Sequence, residues 1–160
     1  MSVESVKAYL EPFGVADKVI EFDRSSATVE LAARDLGCEP ARIAKTMACT
    51  VGEGAVLVVC AGDAKLWSSA FKREFGTKPH FVAPDALPQV VGHPMGGVCP
   101  FDVKSGVRTY LDVSLRRFDL VYPAAGSESS AIGLTLPELE RCSAAAGWVD
   151  VCKDWREETA

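Results

Sequence analysis

Hydrophobic and polar residues alternate along this chain in short runs, and the period changes from segment to segment. Val3, Val6 and Leu10 recur with the spacing of one helix face, whereas the apolar runs on either side of residues 52–54 are typical of a β-hairpin. The pattern predicts helices over residues 2–14, 28–36, 65–75, 84–91 and 137–145, a helical turn over 40–43, and strands over 19–22, 45–51, 55–60, 80–82, 109–112, 120–122 and 148–151.

Residues that start and stop helices delimit several of these elements. We expect Ser2 and Ser26 as N-terminal caps, because a serine hydroxyl can accept a hydrogen bond from the first turn. We expect Gly14, Gly37 and Gly76 to end helices, because glycine adopts the left-handed backbone conformation at no steric cost. Short strands mixed with short helices, in no regular βαβ order, indicate an α+β fold. The 160 residues fit one compact domain over 1–160.

The composition excludes several classes of protein. No apolar run approaches the ~18 residues of a membrane span, and residues 1–7 lack the basic and apolar regions of a signal peptide. We therefore expect a cytoplasmic protein without membrane contact. The net charge is −5, whereas a protein with a broad phosphate-binding face is basic. We expect no DNA binding, and any contact with another nucleic acid should be small, local or assisted by a partner.

Six cysteines raise the question of disulfides or a metal. They lie at positions 38, 49, 60, 99, 142 and 152, with no C-x-x-C pair and no cluster with histidine at ligand spacing. Several have apolar neighbours, among which cysteine behaves as a small hydrophobic residue. We expect buried free thiols in a reducing compartment, with no metal and no cofactor.

Two segments could carry chemistry. Residues 92–101, Gly-His-Pro-Met-Gly-Gly-Val-Cys-Pro-Phe, form a rigid backbone that is open to close approach, and its N–H groups could face a carbonyl or an anion. A tight crossing between strands explains the same pattern equally well. Lys45 stands between an apolar helical turn and an apolar strand. It is either a solvated strand-end lysine, which spacing alone favours, or a partly buried ammonium that binds a phosphate or a carbonyl.

Three further residues have both a functional and a structural interpretation. His93 and Cys99 could form a nucleophilic pair, although a histidine beside a proline is more often a turn residue. Asp112 could be a general base, although a hydrogen-bonding role at the end of a strand is more common. Without more information, composition and spacing indicate only an α+β domain.

Four segments taken together resemble the YbaK/EbsC family of free-standing aminoacyl-tRNA deacylases, and also the editing insert of bacterial prolyl-tRNA synthetases. In chain order they are Ile-Ala-Lys-Thr-Met at 43–47, Gly-Asp at 62–63, Gly-Gly-Val-Cys-Pro-Phe at 96–101, and Leu-Val-Tyr-Pro-Ala-Ala-Gly at 120–126 leading to Ile-Gly-Leu-Thr at 132–135. The lysine combined with the later G-x-x-x-P loop makes the resemblance specific, and it extends over residues 19–150.

The resemblance implies a mixed, mostly antiparallel sheet or partial barrel surrounded by short helices. It also implies a metal-independent hydrolase that removes a mischarged small amino acid from tRNA, foremost tRNA(Pro). Aminoacyl-tRNA would bind by its acceptor end, and prolyl-tRNA synthetase is a partner that could contribute recognition of the tRNA body. The implied catalytic residues are Lys45, Gly96 and Gly97. The implied substrate-binding residues are Phe22, Thr46, Cys99, Pro100 and Ser130.

The resemblance also implies a mechanism, in which Lys45 orients the terminal adenosine or its phosphate. Backbone N–H groups around Gly96 and Gly97 would engage the aminoacyl carbonyl, and a water would attack it. In members specific for Cys, the thiol of the substrate would attack instead. The ester is already activated, so positioning and polarisation of the carbonyl suffice.

The sequence departs from the family pattern at three positions. Cys99 stands where a polar residue is common, Asp102 where glycine is common, and Ala131 near an aspartate of the Cys-specific branch. The last departure favours a small side chain over strict specificity for cysteine. Two other classes stay open: a non-catalytic module that binds aminoacyl-tRNA or a synthetase, and a hydrolase built on Cys99 and His93, for which no third orienting group is evident.

Overall fold

The computed structural model describes residues 3–22 and 28–156 of the chain. Within this part, the helices are α1 (Val3–Leu10), α2 (Val29–Leu36), α3 (Ser68–Phe75), α4 (Leu87–Val90) and α5 (Leu136–Cys142). The strands are β1 (Val19–Glu21), β2 (Ile43–Val51), β3 (Gly54–Ala61), β4 (Lys65–Leu66), β5 (His80–Phe81), β6 (Arg108–Asp112), β7 (Leu120–Pro123), β8 (Ser130–Ile132), β9 (Leu134–Thr135), β10 (Gly147–Val149) and β11 (Cys152–Lys153). Short 3₁₀ turns, such as Pro40–Arg42, connect several of them.

The fold is built on the hairpin of β2 and β3, whose antiparallel register runs from Ala44 opposite Ala61 to Val51 opposite Gly54. Strand β6 adds to β3 and β7 adds to β2, both in parallel, so the order in the main sheet is β10-β6-β3-β2-β7-β9. Strand β5 pairs with the far half of β2. The sheet curls into a half-barrel of an α+β fold, as expected.

The strand pairing is mixed and mostly antiparallel, as expected. In the described part of the chain, β6 pairs in parallel with both β3 and β10, and β2 pairs in parallel with β7. The antiparallel pairings are β2 with β3 and β5, β7 with β9, and two outlying pairs, β1 with β8 and β4 with β11. Strand β3 is apolar in sequence, and every one of its residues from Ala55 to Ala61 is buried.

Two apolar clusters fill the space around the sheet. The larger one contains Val6 and Leu10 of α1 together with Phe71 of α3 and most of β3. The smaller one lies where Leu57 of β3 contacts the segment around α4, and its members are Ala48, Leu57, Val82, Leu87 and Val91. Burying these side chains supplies the main driving force for folding. The smaller cluster also borders the candidate site.

Most predicted elements are found within two residues of their expected ends, and three expected helix ends have the expected chemistry. Gly14, Gly37 and Gly76 adopt the left-handed conformation, with φ of 75°, 70° and 82°, and Gly14 ends the 3₁₀ turn that follows α1. The caps expected at Ser2 and Ser26 lie outside the described residues. Helix α2 is capped instead by Thr28, whose hydroxyl accepts a hydrogen bond from the Leu31 N–H at 3.1 Å.

Two predicted helices were wrong in extent. The helix expected over 65–75 begins only at Ser68, because Lys65 and Leu66 pair with β11 as a strand. The helix expected over 137–145 spans Leu136–Cys142, and Thr135 and Glu138 form a capping box at its start. The strand expected over 148–151 is found as β10, and β11 follows it as a separate strand that was not expected. No helix in the described ranges is long and apolar enough to cross a membrane.

The cysteines are free thiols in this structure, as expected. Five of them are buried and Cys38 is half-buried. Within the described ranges, no three side chains of the types His, Cys, Asp and Glu are placed to hold a metal ion.

Candidate active site

Strand β2 holds Lys45 and Thr46 in fixed positions, because this strand has hydrogen-bonded neighbours on both sides. Lys45 is half-buried, and its Nζ donates to the Gly62 carbonyl oxygen at 3.4 Å. Among the described residues, it forms no ion pair. Asp63, whose carboxylate senses the charge of Lys45, is already bound by both Nη atoms of Arg117 at 2.6 and 2.9 Å. The Lys45 ammonium therefore keeps donors for a ligand.

The contact between Arg117 and Asp63 also changes the pKa of the Asp63 carboxyl. The hydrogen bonds from Arg117 are the largest of the effects that lower the pKa of the Asp63 carboxyl below its usual value, and the charge of Lys45 contributes least. Asp63 is therefore ionised at neutral pH, with Arg117 as its partner. Arg117 therefore binds Asp63, and Lys45 is left to bind another group.

Gly62 fits the turn beside Lys45 because it has no side chain. A Cβ at this position would lie 2.1 Å from the Pro40 carbonyl oxygen and 2.8 Å from a methyl carbon of Val29. Its N–H donates to the Ala41 carbonyl at 3.3 Å. The turn that accepts the Lys45 hydrogen bond is thus pressed against the 3₁₀ turn that precedes β2.

The loop over residues 92–101 is fixed from within. Gly96 has φ of 86°, and the Gly97 N–H donates to the Pro94 carbonyl oxygen at 3.0 Å. Within the loop, His93 is fully buried and its Nε2 lies 2.6 Å from the Phe101 carbonyl oxygen. The loop has a rigid shape, as its glycines and prolines predicted.

A second loop, over residues 124–130, packs against the first. A Cβ on Gly97 would lie 2.9 Å from Ser127 Cα and 3.0 Å from the Gly126 carbonyl oxygen, so the backbones of the two loops touch. The second loop is held by the hydroxyl groups of its serines: Ser127 Oγ donates to Ser130 Oγ at 3.0 Å, and Ser130 Oγ accepts the Ser127 N–H at 3.2 Å.

The two loops and β2 enclose a cavity of about 520 Å³. Its walls are mostly apolar, and several of its residues belong to the smaller core cluster. The described residues that line it are Thr28, Val29, Ala32, Ile43, Ala44, Lys45, Thr46, Met47, Ala48, Phe81, Val82, Leu87, Met95, Gly96, Val98, Tyr122, Ala124, Ser127, Glu128, Ser130 and Ala131. A cavity of this size fits a drug-sized ligand, for which sites span about 300–1,000 Å³.

The cavity brings together half of the residues that the sequence analysis assigned to a site. Lys45, Thr46, Gly96 and Ser130 line it. The other four lie outside the lining: Gly97 supports the loop from behind, Cys99 and Pro100 are buried, and the Phe22 N–H donates to the Ser129 carbonyl at 2.7 Å. Whether any of these residues acts on a substrate stays a prediction.

Several lining residues were not singled out from the sequence. Phe81 and Met95 are 57% and 69% exposed, which is unusual for large apolar side chains, and both border the cavity. Glu128 lines it from the serine-rich loop. An acidic residue in a loop of small residues is a weak signal in the sequence, because most exposed glutamates are only solvated surface groups.

Cys99 and His93 are close together, as a nucleophilic pair would be, but their environment opposes that role. Cys99 Sγ lies 3.5 Å from His93 Nε2. Burial raises the pKa of the Cys99 thiol to about 12, so the thiolate is absent at neutral pH. The proton of His93 Nε2 is directed at the Phe101 carbonyl, and its Nδ1 has no partner among the described residues. The pair links parts of the loop rather than facing the cavity.

Asp112 has the structural role that the sequence analysis considered more common. It is fully buried at the end of β6. Its two carboxylate oxygens accept the N–H groups of Ser114 and Val151, each at 2.9 Å. The side chain therefore ties together two chain segments that follow strands, and it does not line the cavity.

The fold and the cavity can be compared with known proteins. Hypothetical protein APE2540 has the same fold, with a TM-score of 0.82 at 24% identity over 92% of this chain and 99% of that one. A crystal structure of a candidate trans-editing enzyme for prolyl tRNA synthetase has a TM-score of 0.86 at 26% identity, over 94% of this chain and 96% of that one. The half-barrel fold is thus shared with these solved structures.

Sequence comparison defines the family. A family model for an aminoacyl-tRNA editing domain matches residues 23–142. The uncharacterized protein YwhH of Bacillus subtilis (strain 168) is 45% identical over 157 residues, which are 97% of this chain and 99% of that protein. The chain belongs to the aminoacyl-tRNA editing domain family, which confirms the resemblance drawn from its four segments.

Proposed function

We propose that this protein is a trans-editing deacylase, which hydrolyses the ester between a mischarged small amino acid and tRNA, foremost tRNA(Pro). The observation that carries the proposal is the unpaired ammonium of Lys45 at a cavity of about 520 Å³ in a chain of the editing family. Alanine and cysteine are the leading candidates for the amino acid. The similarity to a candidate trans-editing enzyme for prolyl tRNA synthetase supports the choice of tRNA.

The charged end of the substrate would be bound at Lys45. A terminal nucleotide carries a phosphate, and an ammonium with donors to spare binds a phosphate as a point charge. Only one ammonium proton is engaged, in a long hydrogen bond of 3.4 Å to the Gly62 carbonyl. The exposed Phe81 and Met95 at the cavity border offer apolar surface on which a base can stack.

The carbonyl of the ester would be polarised by the backbone of the loop over 92–101. The Gly97 N–H is already used by the Pro94 carbonyl. The Gly96 N–H has no hydrogen-bond partner among the described residues, and Gly96 lines the cavity. We therefore assign the carbonyl contact to Gly96 and a supporting role to Gly97. A fixed donor of this kind stabilises the oxyanion that forms as water attacks.

The size of the amino acid would be limited by the apolar wall. Ala48, Val82 and Leu87 of the smaller core cluster line the cavity and are themselves nearly buried. Such a wall admits a small side chain and excludes larger ones by overlap, which is how a second sieve corrects errors of a synthetase. Thr46 Oγ1 is enclosed and has no hydrogen-bond partner among the described residues, so it is available to a polar group of the substrate.

A deacylation panel tests the proposal directly. The panel contains tRNA(Pro) charged with alanine, cysteine, serine or threonine, together with the matched correctly charged tRNAs. We expect rapid release of a small amino acid from tRNA(Pro) and no effect on Pro-tRNA(Pro), measured as loss of labelled amino acid over time. If the protein binds these tRNAs without hydrolysing any of them, it is a non-catalytic module and the proposal is wrong.

The role of Cys99 can be tested with a single variant. Cys99→Ser should keep its deacylation rate within about threefold of wild type, which is less than about 1 kcal/mol in the barrier. The reason is that the thiol is buried and protonated, so that a nucleophilic role is closed to it. Initial rates on the best substrate of the panel measure this. Complete loss of activity in a folded Cys99→Ser protein would restore the cysteine-hydrolase hypothesis.

A further inference from the structure

Two charged residues of opposite sign line the cavity within the described part of the chain. They are Lys45 and Glu128, and the other lining residues are apolar or neutral. A cavity that binds only the phosphate end of a nucleic acid has no use for a carboxylate, because the two anions repel each other. The presence of Glu128 therefore indicates that the bound molecule also carries a positive charge.

The position of Glu128 is well defined by its neighbours. Its side chain lies against Gly96: a Cβ on Gly96 would be 3.0 Å from Glu128 Oε2 and 3.1 Å from Glu128 Cβ. The loop that carries it is fixed by the serine hydrogen bonds on either side, including Ser129 N–H to Ser127 Oγ at 3.2 Å. The carboxylate thus lies beside Gly96, the residue whose backbone N–H we assign to the substrate carbonyl.

The carboxylate of Glu128 also lacks a partner. Glu128 is exposed, and among the described residues its carboxylate forms no hydrogen bond or ion pair, whereas the following two acidic side chains are paired. Asp63 is bound by Arg117, and Glu138 by Lys18 at 2.9 Å. Lys45, the other charged residue of the cavity, donates to a carbonyl rather than to Glu128. A cationic group of the ligand can therefore take this position.

We propose that Glu128 binds the α-ammonium group of the aminoacyl ester and so selects for esters with a free α-amino group. This inference rests on the proposed function. An α-amino group has a pKa of about 7.7–8.0 in peptides, so much of it is protonated at neutral pH. Its nitrogen is separated from the ester carbonyl carbon only by the α-carbon. A substrate carbonyl held at Gly96 brings its ammonium next to the carboxylate that lies against Gly96.

The arrangement has a consequence for the substrate class. An aminoacyl end has one negative charge at its phosphate and one positive charge at its amine, which matches Lys45 and Glu128 in sign. An N-acylated ester, as in peptidyl-tRNA or formylated tRNA, has lost the positive charge and gained bulk. Such esters leave the Glu128 carboxylate without a partner. A site strongly prefers the substrate that pairs with its polar group over an analogue that leaves this group unpaired. The enzyme should therefore spare N-blocked aminoacyl-tRNA.

The test compares Ala-tRNA(Pro) with N-acetyl-Ala-tRNA(Pro) as substrates for wild type, Glu128→Gln and Glu128→Asp. Wild type should prefer the free amine by about 10–100-fold in kcat/KM, the range expected for a charged hydrogen bond. In Glu128→Gln the preference should fall to near unity, through slower hydrolysis of the free-amine substrate. Glu128→Asp should restore part of it. Melting temperatures should stay at the wild-type value, since the side chain has no structural partner.

Glu53→Gln is the matched control, because Glu53 is an exposed acid in the turn between β2 and β3 and does not line the cavity. It should keep the full preference. If wild type hydrolyses both substrates equally well, or if Glu128→Gln keeps the preference, the inference is wrong while the deacylase function stands. If wild type hydrolyses neither Ala-tRNA(Pro) nor any other member of the panel, the proposed function fails and the inference fails with it.

Discussion

Replacing Lys45 by alanine should lower kcat/KM for deacylation by about 100-fold or more, because the terminal phosphate would lose its binding partner and a substrate misplaced by about 1 Å reacts about 100-fold more slowly. The ammonium is the positive charge of the cavity, and its neighbour Asp63 is held by Arg117. The fold should stay intact, because Lys45 contributes to it only one long hydrogen bond of 3.4 Å. Initial rates and thermal unfolding measure the two effects separately.

Two further variants sharpen this prediction. Lys45→Arg should also be poorly active, because a planar guanidinium does not replace a compact ammonium at a crowded position. Lys72→Ala is the control, since Lys72 is exposed on α3 away from the cavity. A folded Lys45→Ala protein with wild-type turnover would exclude Lys45 from the mechanism and would point to the loop backbone alone.

Replacing Gly62 by alanine should lower the free energy of unfolding by about 3 kcal/mol or more, at or above the upper end of the usual cost of overpacking. The new Cβ would lie 2.1 Å from the Pro40 carbonyl oxygen, which is backbone and cannot rotate away. The turn over residues 40–42 would have to move, and with it the start of β2 and Lys45. Denaturant titration measures the stability, and the deacylation assay measures the displacement of Lys45.

Gly147→Ala is the matched control for Gly62→Ala. A Cβ on Gly147 would meet no atom within 4 Å, so this variant should unfold at the wild-type denaturant concentration. Wild-type stability of Gly62→Ala would show that the turn tolerates a side chain. In that case the tight packing of the turn would not explain why a glycine occupies position 62 beside Lys45.

The elements that the sequence predicted correctly are those whose signal is local. The hairpin of β2 and β3 has a short glycine turn between two apolar runs, and the ends of α2 and α3 are set by Gly37 and Gly76. These residues act through their own backbone preferences, so that no distant contact is needed. The misplaced start of α3 has the opposite cause. Lys65 and Leu66 form a strand only because residues 152–153 lie beside them.

The residues of the candidate site differ in the same way: some have a signal in the sequence, and others are brought to the site only by distant contacts. Lys45 and Gly96 were found from the sequence because they belong to motifs of a family. His93 and Cys99 lie as close together as the nucleophilic-pair hypothesis requires, but their depth of burial, and the thiol pKa of about 12 that follows from it, depend on how the two loops pack. Nothing near Glu128 in the sequence indicates that it lies against Gly96, 32 positions away.

The sequence alone determined the fold class, because helix caps, turns and apolar periods are properties of neighbouring residues. The family, and with it the choice of Lys45 as a candidate, came from four segments that resemble a known family. Only the tertiary structure decided which polar groups share the cavity and which are already engaged. Arg117 holds Asp63 across 54 positions of the chain, and this contact leaves Lys45 available. Such pairings depend on distances through space between segments that are far apart in sequence, and a one-dimensional pattern does not contain those distances.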